Sequence, residues 1–196
     1  IWIDAGHFYQ DRFLIHGVTG PDEYTCVVNN NYYTNAMAQY HLQWTVCLHE
    51  RFRNNPIYLE LTESLGITKE EIDIFRRAAE QMYLPYDKHR NINPQDDSFL
   101  EKKRLDPGEI PRNKFPLLLH FHPLYLYRHQ ICKQADTVLA HFLLDEIAPD
   151  AVMRDSFLYY EKITTHDSSL SRSIFSIMAS RLGMLEKSFR YFGDSV

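Results

Sequence analysis

Three stretches of this 196-residue chain carry side chains whose types and spacing suit chemistry. The first is His16-Gly17-Val18-Thr19-Gly20-Pro21-Asp22-Glu23-Tyr24, followed by Asn29-Asn30-Asn31-Tyr32-Tyr33-Thr34-Asn35. Gly17, Gly20 and Pro21 make a tight, restricted turn, able to hold Asp22 and Glu23 rigidly at a pocket edge. A carboxyl beside aromatic rings is partly desolvated, so its pKa rises and it stays protonated near neutral pH. A general acid acting on a glycosidic oxygen requires that state. The asparagines supply amide donors and acceptors matched to sugar hydroxyls. A surface turn followed by an Asn-rich cap of a helix near Thr34 accounts for the same residues.

The second stretch is Tyr127-Arg128-His129-Gln130-Ile131-Cys132-Lys133-Gln134-Ala135-Asp136. Lys133 and Gln134, at the head of a helix, can grip sugar hydroxyls or an anion, or form a solvated first turn. The third runs from Tyr159 through Glu161 and Thr164-Thr165-His166-Asp167-Ser168-Ser169-Leu170-Ser171. Asp167 and Ser168 are ordinary N-cap residues, yet a helix N-terminus with hydroxyls and a histidine also favours an anion. Two further segments, Gln95-Asp96-Asp97-Ser98-Phe99-Leu100 and Pro116-Leu117-Leu118-Leu119-His120-Phe121-His122-Pro123, read as pocket wall. Asp96 and Asp97 are adjacent and should point apart, so no catalytic dyad is expected. His120 and His122 lack the carboxylate spacing of a metal site, and no metal is expected.

Helices must position these residues. Met37, Tyr40, Trp44, Cys47 and Leu48 share one face of a helix over roughly residues 34–53. Thr68 and Glu71 form a capping box ahead of Ile72, Phe75, Ala79 and Met82. Ile131, Ala135, Val138, Leu139 and Phe142 mark a third helix, and Asp150 to Tyr160 a shorter fourth. Asp167 or Ser168 caps a fifth with Leu170, Ile174, Ile177 and Met178 inward, and a sixth near Met184 carries Leu185, Phe189 and Phe192. No β-alternating series matches these in strength. Residues 1–33 and the proline-rich 83–123 interrupt the helices, and a loop as long as the latter is expected to build a site. The fold class is therefore all-α, an α/α toroid with long active-site loops, with a plain helical bundle as the competing architecture.

Composition narrows the partners. Apolar residues make up 44% and aromatics 14%, enough for a core and against disorder. The net charge of −5, without a basic run, gives no electrostatic reason to expect nucleic acid. No apolar stretch is long enough to span a membrane. Cys26, Cys47 and Cys132 are odd in number and widely spaced, unlike a disulfide framework or a zinc site, which suits a cytoplasmic setting. The apolar start at Ile1, without Met, and the stop just after an amphipathic segment suggest truncation at both ends, with a trimmed natural domain as the alternative.

The run Gly17–Tyr24 with Asn29–Ala38 resembles the general-acid segment of glycoside hydrolase family 65, and Lys133-Gln134-Ala135-Asp136 and Thr164–Ser171 are similar to two further segments of that family. The resemblance extends from Ile15 to about Phe192. It implies that Glu23 donates the proton to the leaving sugar, that Lys133 and Gln134 hold the transferred sugar, and that His166 contacts phosphate. The implied fold is the C-terminal portion of an (α/α)6 barrel, spanning residues 1–196. The implied reaction is inverting phosphorolysis of an α-linked glucose disaccharide, giving β-glucose 1-phosphate. Maltose is the first expectation, with kojibiose, nigerose or trehalose as alternatives. A hydrolase of the same fold or a non-catalytic carbohydrate-binding module are the other readings. Phosphate would be co-substrate and nucleophile, with no cofactor and a possible homodimer. The family's β-sandwich, a Trp-Asp pair of the sugar pocket and a Gly-rich phosphate-binding stretch are not in this chain, so it is expected to be inactive alone. A hydrolase needs a second carboxylate, roughly 6.5–9.5 Å away, to activate water. Glu161 is the nearby candidate and is expected to face solvent.

Overall fold

The computed structural model describes residues 1–195. It is predominantly helical. A short helix α1 (Trp2–Ala5) leads into a hairpin of β1 (Gly6–Tyr9) and β2 (Arg12–Ile15), and then α2 (Tyr32–Phe52), α3 (Pro56–Ser64) and α4 (Lys69–Glu80) follow. A long loop segment contains four single 3-10 turns and strand β3 (Lys103–Arg104). After it come α5 (Pro123–Tyr127), β4 (His129–Gln130), α6 (Asp136–Leu143), α7 (Asp150–Glu161), α8 (Ser169–Arg181) and α9 (Leu185–Gly193).

The helix starts follow local chemistry. Asn31 caps α2 by accepting from Thr34 N at 2.9 Å, and Thr68 caps α4 by accepting from Glu71 N at 3.2 Å. Asn55 caps α3 ahead of Pro56, whose missing N–H costs nothing at a helix start. Ser168 caps α8. Asp167, the other expected cap, turns instead to Tyr24 Oη and Leu117 N.

Two apolar centres organise the body. Phe13 and Ile15 of the hairpin pack with Ala38 and Leu42 of α2 and with Ala78 and Ala79 of α4. Val138 of α6, Met153, Phe157 and Tyr160 of α7, Phe175 and Met178 of α8, and Tyr191 of α9 form the second. Tyr32 and Ala36 of α2 meet Ala140 of α6 and Leu144, bridging the two.

Several sequence expectations are corrected here. The hairpin went undetected because four-residue strands are too short for alternation to register. The predicted third helix begins at Asp136, not near Ile131: Cys132 N donates to Ile163 O (2.9 Å) and Thr165 N to Cys132 O (2.8 Å), holding that stretch extended. Tyr40, Trp44 and Leu48 face outward, and α2 buries Ala36, Ala38, Leu42 and Val46 instead. Likewise Leu170 and Ile177 of α8 and Leu185, Phe189 and Phe192 of α9 are exposed, while Phe175, Met178, Ala179 and Tyr191 are buried. Among the described residues no helix is long and apolar enough to cross a membrane.

Candidate active site

The loop from Gly20 to Tyr24 is held from below by buried carboxylates. Asp22 is fully buried, and its Oδ1 accepts from Lys133 N (2.9 Å) and Tyr24 N (3.2 Å). Its Oδ2 accepts from Gln95 Nε2 (2.9 Å). Asp22 N in turn donates to Oδ1 of Asp136 at 2.7 Å, and Asp136 Oδ2 accepts from Asn31 Nδ2 at 2.9 Å. Burial, followed by their mutual repulsion in the case of Asp136, pushes both carboxyls up from the ordinary range, while the N–H donors pull against it. The same packing explains Gly20: a Cβ there would collide with the Asp136 carboxylate and the Asn31 amide.

With Asp22 turned inward, Glu23 turns outward, its side chain 58% exposed. Aromatic rings were expected to desolvate it; an ammonium faces it instead, Lys133 Nζ at 2.9 Å. Gln134 donates through Nε2 to Pro21 O at 2.9 Å. Glu23, Lys133 and Gln134 are thus brought together across more than a hundred residues of sequence. At that exposure the ion pair is worth only about 0–1 kcal/mol. Each buried hydrogen bond to a charged Asp22 contributes about 1.5–3 kcal/mol. The buried bonds therefore fix the loop, and the ion pair only orients the Glu23 side chain.

Tyr24 ties this loop to the third sequence motif. Its hydroxyl donates to Asp167 Oδ2, which also accepts from Leu117 N at 3.1 Å. Burial and the Asp167 charge push the Tyr24 phenol above its ordinary range. Beside Asp167, at the N-terminus of α8, lies a cavity of about 260 Å³ lined by His166, Ser168, Ser169, Arg172 and Asp194. His166 adopts a left-handed backbone conformation (φ 58°), and its Nδ1 is 2.8 Å from Ser171 Oγ. Its ring packs on Phe175 and Tyr191. Burial, with the Arg172 charge, lowers its pKa to about 4, so the ring is neutral at physiological pH. The positive charge at this cavity therefore sits on Arg172, itself paired with Asp194 at 2.7 Å.

Glu161 does not face solvent. It is only 13% exposed, bound by Lys187 (2.8 and 2.9 Å) and by the Tyr191 hydroxyl (3.2 Å). Asp96 and Asp97 do point apart: Asp96 is buried towards Ser98 and Lys102, while Asp97 accepts from Asn30 Nδ2 at 2.7 Å. His122 caps α5 through Nδ1, accepting from Leu124 N at 3.2 Å. Asp22, expected beside Glu23 at a pocket edge, is instead fully buried, and its link to Asp136 is what sequence reasoning missed. Both lay inside the motifs, but only the fold reveals that one supports the other.

The model of the glycosyl hydrolase family 65 central catalytic domain matches residues 1–196. The chain belongs to glycosyl hydrolase family 65. It is 57% identical over 98% of its length to α,α-trehalose phosphorylase of Geobacillus stearothermophilus, of which it covers 25%. To maltose phosphorylase of Bacillus subtilis it is 32% identical, covering 97% of the chain and 25% of that protein. A solved structure from the human microbiome, named as a candidate kojibiose phosphorylase, superposes with a TM-score of 0.85 at 32% identity over 96% of this family 65 chain and 25% of its own. The chain thus spans about a quarter of the length of the relatives it matches.

Proposed function

We propose that the full-length protein carrying this chain is an inverting disaccharide phosphorylase, and that this chain supplies its proton donor and part of its sugar site. The supporting observation is that Glu23 and Lys133, 110 residues apart in sequence, meet at 2.9 Å across two segments tied together by the buried Asp22 carboxylate. Glu23 acts in its protonated form, with the Lys133 ammonium drawn off it onto the sugar hydroxyls, and gives its proton to the glycosidic oxygen as the C1–O bond breaks. A phosphate oxygen attacks C1 from the opposite face, so the products are a free sugar and a β-linked sugar 1-phosphate. The ammonium of Lys133 and the amide of Gln134 hold hydroxyls of the transferred glucose. His166, being neutral, offers phosphate a hydrogen bond rather than a charge, and Arg172 supplies the positive charge.

Identity of 57% against 32% favours α,α-trehalose over maltose as the disaccharide. We read the helices as the C-terminal portion of an (α/α)6 barrel, a reading supported by the superposition. A hydrolase would need a carboxylate free to activate water. Glu161, held by Lys187 and Tyr191, is not free in that sense. The test is an assay of the full-length protein on trehalose, maltose, kojibiose and nigerose, each with and without phosphate. Phosphate-dependent cleavage, fastest with trehalose, is expected. Cleavage that proceeds equally well without phosphate would sink the phosphorylase reading, and faster turnover of maltose would sink the choice of disaccharide.

A further inference from the structure

We propose that Asp22 is a positioning residue for the proton donor, acting through the backbone on both sides of the site; the proposal rests on Glu23 being that donor. One carboxylate oxygen, Asp22 Oδ1, accepts from the N–H of Tyr24, the residue directly after Glu23, and from the N–H of Lys133, whose ammonium faces Glu23. That single atom therefore sets the register between the segment carrying the acid and the segment carrying its cationic partner. The other oxygen is occupied by Gln95 Nε2, so the carboxylate cannot rotate without abandoning a buried donor. Asp136 steadies the same point from the far side by accepting from Asp22 N, and Asn31, the cap of α2, holds Asp136. The chain of contacts runs from the start of a 21-residue helix to the peptide bearing Glu23. No part of it touches the exposed face where a sugar would lie, because Asp22, Asp136 and Asn31 are all fully buried. Its effect is confined to where Glu23 and Lys133 stand relative to each other.

The consequence is a split between binding and turnover. Sugar contacts depend on the Lys133 and Gln134 side chains, and without Asp22 their segment is still held through Cys132, bonded to Ile163 and Thr165. Proton delivery depends on Glu23 standing within hydrogen-bond reach of one oxygen, and a misplacement of about 1 Å costs about 10²-fold. Asp22→Ala removes the shared acceptor. Asp22→Asn keeps an acceptor oxygen for Tyr24 and Lys133, and its new amide is met by rotation of the Gln95 amide, which gives up only the weak 3.4 Å contact from Cys132 Sγ.

The experiment measures kcat and KM for the disaccharide in the full-length protein with Asp22→Ala, Asp22→Asn and Glu23→Gln, alongside thermal unfolding. The expected result is a kcat for Asp22→Ala lower by about 10²-fold with KM changed by less than about threefold, and recovery of most of kcat in Asp22→Asn. Unchanged kcat in a folded Asp22→Ala protein would overturn the proposal, as would equal loss in both Asp22 variants. Where Asp22→Ala does not fold, Asp22→Asn decides: near-native kcat upholds the proposal and a collapse of kcat overturns it. Glu23→Gln separates this inference from the donor assignment. Retained phosphorolysis in Glu23→Gln defeats the donor assignment itself. Lost phosphorolysis there, with native kcat in Asp22→Ala, defeats the positioning role alone.

Discussion

At the scale of single residues, side chain and backbone of Lys133 do different things. The ammonium faces Glu23, while the N–H is anchored on Asp22. Lys133→Ala removes only the first, so disaccharide KM in the full-length protein should rise about tenfold or more, with the loop still in place. Steady-state kinetics checks this, and an unchanged KM would remove Lys133 from the sugar site. Cys132 is fully buried and its thiol is pushed well up by burial and by the nearby Asp22 charge, whereas Cys26 and Cys47 are exposed. Alkylation of the native chain, mapped by mass spectrometry, should therefore label Cys26 and Cys47 and spare Cys132 until denaturant is added. His166 gives a pH signature. Its folded pKa, about 4, lies below the ordinary 6.5, so the unfolded chain takes up the proton first. The stability it contributes is intact above about pH 6.5 and is lost as pH falls towards about 4. The unfolding midpoint should drop over that interval, less steeply in His166→Gln; identical slopes would contradict the burial of the ring.

At the scale of elements, the caps differ in what depends on them. Thr68 caps α4 through one bond at 3.2 Å, and Thr68→Ala should cost about 1 kcal/mol. Asn31 caps α2 and also donates to Asp136 and to Gln95 O, the latter two bonds buried. Asn31→Ala loses the cap and leaves the buried Asp136 Oδ2 without its donor, so it should cost roughly 2–4 kcal/mol. Denaturant unfolding of both variants checks the order, and equal losses would contradict the link between α2 and the Glu23 loop. Helix starts were legible because capping is local: Thr68, Glu71 and Ser168 announce themselves within four residues. Helix faces were less legible. Tyr40, Trp44 and Leu48 form an apolar stripe on α2, but the hairpin and α4 pack against the side bearing Ala38 and Leu42. Periodicity finds a stripe and cannot tell which neighbour covers it. The early start expected for α6 failed because Cys132 bonds to Ile163 and Thr165 and Lys133 N to Asp22, pairings no local pattern encodes.

At the scale of the whole molecule, much apolar surface stays open. α3 buries only Thr62 and exposes Ile57, Leu59 and Leu61, Leu65 just beyond it is exposed too, and α9 exposes Leu185, Phe189 and Phe192. Surfaces of this kind drive association, so the isolated chain should self-associate at micromolar concentrations in sedimentation velocity. A sharp monomer would contradict this. The candidate site was legible only in part for a related reason. Glu23, Lys133 and Gln134 were recognisable from motif resemblance, but the buried link from Asp22 to Asp136 spans 114 residues and appears only once the chain is folded. The desolvated setting expected for Glu23 is absent from this chain, where Lys133 rather than an aromatic ring faces the carboxylate.

The proposed reaction turns on Glu23 delivering the proton in phosphorolysis. Its most direct measurement is ³¹P NMR of the full-length protein incubated with trehalose and phosphate, native against Glu23→Gln. A growing β-glucose 1-phosphate signal is expected for the native protein and none for Glu23→Gln, with trehalose still bound by the variant. Sugar 1-phosphate appearing at the native rate from Glu23→Gln would contradict it.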